Sequence, residues 1–173
     1  MRTRLIVALV ALLGIQTACR QDAAVDATAG WVSPVSFDST WVQISNGPDT
    51  FRVAVEVAAT PEQRNFGLMD RPTLPADRGM IFLYPEVQDS ANGFWMFRTR
   101  VPLDIAFVDS AGQIASIRSM EPCDSPNPEF CPTYAPGVRF QNALEVNRGF
   151  FDDRGIGVGW YLAVDSVQQA PVP

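Results

Sequence analysis

The chain has 173 residues, with 19 acids against 13 basic residues, all of them arginine, and no histidine. That length is one domain's worth, and a net charge of −6 repels phosphate backbones, which argues against a nucleic-acid partner. The missing histidine removes the commonest general base and the usual Ser–His and Cys–His nucleophile pairs, and with no glycine-rich phosphate loop, paired CxxC or dinucleotide fingerprint no cofactor is expected.

The N-terminus reads as an export signal. Arg2 and Arg4 form a positive region, and residues 5–15 form an apolar run too short to span a bilayer but right for the core of a signal peptide. Thr17-Ala18-Cys19 follows and resembles the lipobox at which bacterial lipoproteins are cut and acylated on the cysteine. Gln16 stands where that pattern has an aliphatic residue, so simple cleavage after a nearby alanine is the alternative. The expected organisation is a signal peptide over residues 1–18, a lipid-anchor tether over 19–40, a β domain over 41–164 and a disordered tail over 165–173. Losing the signal leaves 155 residues with 11 arginines and 19 acids, a net charge of −8. The expected location is outside the cytoplasm, anchored to a membrane through the lipid.

Residues 23–40 are rich in alanine, aspartate, threonine and serine, as a flexible spacer requires, although Trp31, Val32, Val35 and Phe37 form an apolar set able to pack on the domain. Residues 41–45 and 50–57 are β-branched and aromatic and flank Asn46-Gly47-Pro48-Asp49, which predicts a hairpin. Thr60 can cap a short helix with Pro61 in its first position and Gln63 closing a capping box; Gly67 ends it by taking the left-handed conformation. Further strands are expected over residues 79–84, 93–97, 103–108, 114–119, 140–146 and 160–164. Asp109-Ser110-Ala111-Gly112 supplies a turn, and a second short helix is expected over 150–154, ended by Gly155. Eight short strands with one or two small helices predict a mainly β fold, a β-barrel-like or sandwich single domain.

With Cys19 assigned to lipid, Cys123 and Cys131 remain, an even count in an oxidising compartment. A disulfide there closes a short loop containing Pro126 and Pro128, and stabilises by about 2.5 kcal/mol on the chain-entropy estimate. The rival, a two-thiolate metal site, lacks further ligands in a chain without histidine.

Two carboxylates stand out. Alternation over 103–108 places Leu103, Ile105 and Phe107 on one face and Asp104 among Ala106 and Val108 on the other; Glu145 sits similarly between Leu144 and Val146. A buried carboxylate needs a partner or a job. Each either accepts backbone amides or an arginine such as Arg71, Arg98 or Arg100, or the two face one cavity as acid and base. Met69, Met80 and Met96 invite a soft-metal reading, but methionine is also a core filler that packs on aromatic rings, and core packing is the expectation.

The ordered motifs Gly67-Leu68-Met69-Asp70-Arg71, Gly79-Met80-Ile81-Phe82, Phe94-Trp95-Met96, Pro102 to Asp109, and Leu144-Glu145-Val146 with Gly149 resemble domain-of-unknown-function family 192 (DUF192), a group of small β-rich domains. The resemblance covers roughly residues 53–164. It implies a β-rich fold and no particular activity. The basic residue that the family carries after its Trp-Met pair is Phe97 here, followed by Arg98-Thr99 in place of Asn-Thr. Arg71, Trp95, Thr99, Asp104 and Glu145 are the candidate binding residues. The expected function is non-catalytic binding of a small molecule, glycan or envelope protein in a cleft beside Trp95, whose ring can cover a sugar's apolar face. The alternative is a hydrolase or lyase on envelope carbohydrate using Asp104 and Glu145.

Overall fold

A computed structural model describes residues 31–166; the export segment, Cys19 and residues 167–173 of the expected tail lie outside the described residues. Strands β1 (Asp38–Ser45) and β2 (Thr50–Ala58) form the expected hairpin, with Ser45 opposite Thr50. Asp49 N donates to Asn46 Oδ1 at 2.9 Å to fix its turn. Helix α1 (Pro61–Phe66) starts with the expected capping box: Gln63 N donates to Thr60 Oγ1, and Thr60 N to Gln63 Oε1, which satisfies amides a helix start leaves open. Gly67 ends it at φ 52°, ψ −129°. Its positive φ was expected, but the left-handed helical ψ is absent, because the chain turns away under Phe82, whose ring lies 3.3 Å from where a β-carbon would stand.

Strand β3 (Arg78–Gln88) runs parallel to β2, and beyond it come β4 (Phe94–Trp95), β5 (Leu103–Val108), β6 (Ile114–Met120), β7 (Thr133–Tyr134), β8 (Phe140–Asn147) and β9 (Tyr161–Val164). Seven of them form one sheet in the order β6-β5-β8-β3-β2-β1-β9, and β4 pairs with β7 in a separate two-stranded sheet. The seven-stranded sheet curls until its edges touch, where Ile114 N donates to the Trp160 carbonyl and Leu162 N to that of Gly112, both at 2.8 Å. Only the isolated bridge Gln113–Tyr161 joins the two edges. The molecule is therefore mainly β and a sandwich-like single domain, as expected, with a ladder that does not close into a barrel.

Both faces of the sheet are covered. Val42, Val55, Ala106, Leu144 and Val146 belong to one core; Met80, Phe82, Ile105, Phe107 and Phe140 belong to the other. This is why every residue of β5 is buried, as strands covered on two sides require. Met80 and Met96 are fully buried in the second core, as expected of core methionines.

Two boundaries are corrected. The part of the expected tether nearest the domain is folded onto it: Asp38 to Thr40 open β1, Gln63 Nε2 donates to the Ser36 carbonyl at 2.9 Å, and the Arg71 guanidinium lies 5.1 Å from the Trp31 ring centre and 5.9 Å from that of Phe37. The first tail residue is docked as well. Asp165 N donates to the Trp41 carbonyl at 2.9 Å, and its carboxylate meets Arg52 at 2.8 Å. Composition marked these segments as loose, but a few specific contacts override composition.

Candidate functional site

The register of the sheet decides what the two singled-out carboxylates can do. Glu145 lies between Met80 of β3 and Ile105 of β5, whereas Asp104 lies between Val146 of β8 and Ser119 of β6. Adjacent positions on neighbouring strands point to opposite faces, so the carboxyl groups sit on opposite sides of the sheet. The structure does not bring them together, and the geometry for joint acid–base work on one substrate is absent.

Asp104 is 3% exposed and fully engaged. It accepts from the Gly149 amide at 2.7 Å and from Ser119 Oγ at 2.6 Å. Gly149 has φ 84°, a conformation other residues rarely take, so the carboxylate anchors a glycine turn at the end of β8. That is the structural role.

Glu145 is the opposite case. It is 4% exposed, its carboxyl makes no hydrogen bond or ion pair among the described residues, and its oxygens are not among the fully buried atoms left without a partner, which are Arg71 Nε and Ser116 Oγ. Burial pushes it up from the usual carboxylate range to about 8, because taking the charged form out of water is costly. The nearest carboxylate in the same cross-strand row is Glu56, one strand beyond Met80, and Glu56 takes the arginine: Arg71 Nη1 donates to Oε1 at 3.1 Å, with a second bond from Nη2 to Oε2. Arg71 therefore belongs to another hollow, of about 340 Å³, that it shares with Trp31, Glu56 and Arg78. The expectation that it joins Trp95 and Glu145 is corrected.

What surrounds Glu145 is a small hollow of about 30 Å³ whose walls include Asn65, Leu68, Met69, Phe82, Trp95 and Thr99. A larger hollow of about 270 Å³ shares Arg64, Asn65, Phe94 and Trp95 with it, and adds Tyr84 and Asn92. Three of the five expected binding residues, Trp95, Thr99 and Glu145, thus converge. Trp95 is 44% exposed, a wall residue rather than core, and its ring leans on Phe97 with centroids 5.5 Å apart. Behind it Phe94 meets Phe82 and Phe107 edge to face at 4.9 and 5.6 Å, the favoured aromatic geometry. These contacts make the floor rigid.

Two non-glycine residues with positive φ, Asp70 and Arg98, stand beside this site. Such conformations are uncommon and persist only when neighbours enforce them. Here Asp70 N donates to the Arg98 carbonyl at 2.8 Å, and the two side chains form a two-bond ion pair. The pair ties the turn carrying Leu68 and Met69 to the turn carrying Trp95 and Thr99. The disulfide braces the latter from outside: Cys123 is bonded to Cys131, as expected. Arg98 N donates to the Cys123 carbonyl at 3.1 Å, while β7, just past Cys131, pairs with Trp95.

Sequence reasoning missed Arg64, Asn65 and Tyr84. Tyr84 was legible, since alternation along β3 sets it on the same side as Met80 and Phe82. Burial raises the Tyr84 phenol, Arg64 partly offsets this, and Glu145 adds to the rise. Arg64 spans from α1 to the Leu83 carbonyl at 3.0 Å, and its guanidinium lies 4.7 Å from the Tyr84 ring centre. No spacing in the sequence signals that contact.

A model of the DUF192 family, described as uncharacterized ACR, matches residues 42–164. Two of the similar solved structures are as follows. One is a candidate transcription regulator from Sinorhizobium meliloti 1021, 28% identical, with a TM-score of 0.67 over 76% of this chain and 98% of that one. The other is a protein of unknown function from Novosphingobium aromaticivorans DSM 12444, 29% identical, with a TM-score of 0.61 over 77% of this chain and 91% of that one. No functionally curated protein matches the chain.

Proposed function

The chain belongs to the DUF192 family, and from that premise we propose that it is an exported, lipid-anchored module that binds a small polar ligand in the cleft beside Trp95, without catalysis. Export and anchoring rest on Arg2, Arg4, the apolar run over residues 5–15 and Cys19, through which the protein partners a membrane. Binding rests on one observation above the others: a buried carboxyl without an internal partner faces a hollow walled by a half-exposed tryptophan. Proteins satisfy buried polar groups, and a group left waiting in a concave site is what a ligand completes. The hydrolase or lyase alternative loses its support, because Asp104 is on the other face of the sheet. The regulator description of the Sinorhizobium protein is not carried over, since a net charge of −6 opposes DNA binding.

The test is ligand-induced stabilisation of the full chain extracted in detergent, against neutral sugars, short peptides and amines, since a ligand for the native state raises its melting temperature. At least one class is expected to stabilise wild type but not Trp95→Ala. That substitution itself should cost about 1–2 kcal/mol, less than the roughly 3–5 of a buried aromatic, because nearly half of the side chain is already in water. A full core-sized loss with no compound binding would overturn the cleft.

A further inference from the structure

We propose that the ligand of this cleft is a neutral polyhydroxylated molecule, a sugar or polyol, that lays an apolar face on Trp95 and seats a single hydroxyl against the Glu145 carboxyl in the inner hollow. The inference rests on the binding reading above and deepens it. Size comes first. The inner hollow of about 30 Å³ is room for about two waters, at roughly 10–15 Å³ each on the same measure, so it admits a hydroxyl but no ring. The outer hollow of about 270 Å³ is just under the range of drug-sized pockets, about 300–1,000 Å³, and suits a small molecule.

Charge comes second. A charged group seated inward would lose its water beside an acid that burial already holds neutral, and an unpaired buried charge is costly. A cation would enter beside the Arg64 guanidinium, which lines both hollows. A neutral group that can both donate and accept avoids either penalty, and a hydroxyl is such a group. Glu145, held neutral near pH 7 by its burial, can likewise donate and accept.

The third observation is the supply of waiting polar groups. The half-buried Tyr84 hydroxyl and the Asn65 amide, exposed at the rim, like the buried Glu145 carboxyl, make no hydrogen bond among the described residues. Asn65 lines both hollows and Tyr84 the outer one. Three unpaired polar groups around one aromatic face provide the pattern that several hydroxyls on one apolar-faced molecule would satisfy.

The experiment uses the full chain in detergent and titrates D-glucose, D-mannitol and ethanolamine, following tryptophan fluorescence and melting temperature for wild type, Glu145→Gln and Glu145→Leu. Gln keeps a neutral donor and acceptor at nearly the same shape, whereas Leu fills the space without either. At least one of the two neutral compounds is expected to bind wild type and Glu145→Gln within about threefold of each other, and Glu145→Leu about tenfold more weakly, the scale of one lost hydrogen bond. The Leu variant should melt no lower than wild type, which shows that its weaker binding is not unfolding. Equal binding by Glu145→Leu would overturn the inner seat while leaving the cleft standing. Tighter binding of ethanolamine that disappears in Glu145→Gln would overturn the neutral class in favour of an ammonium site. No binding of either neutral compound, with another compound class stabilising the chain in the Trp95-dependent way, would overturn the polyol and keep the binding reading. Silence from every compound would sink both.

Discussion

Glu145 and Asp104 are each an acid set between apolar neighbours, and the structure gives them opposite fates. Glu145 keeps a proton in the folded chain that the unfolded chain releases between pH 4.5 and about 8. Its folded value is raised, so its contribution is complete below the unfolded value and is lost as pH rises through that window. The expected outcome is that wild type loses on the order of a few kcal/mol across it relative to Glu145→Gln, read as the difference between their melting temperatures at successive pH values. Parallel curves for the two proteins would mean that Glu145 has a partner in solution. Asp104→Asn should instead cost about 1–3 kcal/mol by weakening the bonds to Gly149 N and Ser119 Oγ, measurable by denaturant titration, and should leave any ligand affinity of the Trp95 cleft unchanged. A folded Asp104→Asn protein with intact stability and lost binding would show that the two faces communicate.

Among the elements, the short β4–β7 pair governs the site although it contributes only two residues from each strand. Its first strand carries Trp95, and the Cys123–Cys131 bond restrains its second strand and the turn after Trp95. Reduction should lower stability by about 2.5 kcal/mol without unfolding the domain. Each fully buried Phe, Leu, Ile or Met contributes roughly 1.5–3 kcal/mol, and both cores hold several. Denaturant midpoints with and without reductant, alongside non-reducing peptide mapping, provide the check, and free thiols at both positions in protein from the envelope would contradict it. Reduction should also weaken ligand binding more than it weakens the fold, since the loop it loosens is the wall of the cleft.

At the scale of the molecule, the folded unit extends beyond the region that pattern reading assigned to it. Trp31 and Phe37 stack on Arg71, so eleven residues separate Cys19 from the first described contact with the domain, and a lipid on that cysteine would tether the domain within about 40 Å of the membrane surface. Cys19→Ser is expected to move the protein from the membrane to the soluble fraction of the envelope without changing its melting temperature. A variant that still sediments with membranes would end the lipid-anchor reading.

Much of the fold was legible without coordinates. The hairpin around Asn46–Asp49, the Thr60–Gln63 capping box, the turn at Asp109 and the left-handed Gly155, which ends a 3-10 turn over Asp152–Arg154 where a helix over 150–154 was expected, are set by residues within a few positions of one another, and local hydrogen bonds and conformational preferences decide such features. Cys123 and Cys131 paired as their spacing and even count implied. The two-residue β7 carried no periodicity to read, and β3 ran four residues past its expected end, with an irregularity after Leu83 before Gln88 pairs with Phe140 of β8. The site divides the same way. Trp95 as a wall residue and Glu145 as an acid in need of a partner could be read from their neighbours in the chain, but alternation within one strand does not say which face of the next strand it meets. Only the register of β5 and β8 separated Asp104 from Glu145, and only the folded chain brought Arg71 to Glu56 of β2, because which distant strands pair is decided by burying both faces of the whole sheet at once.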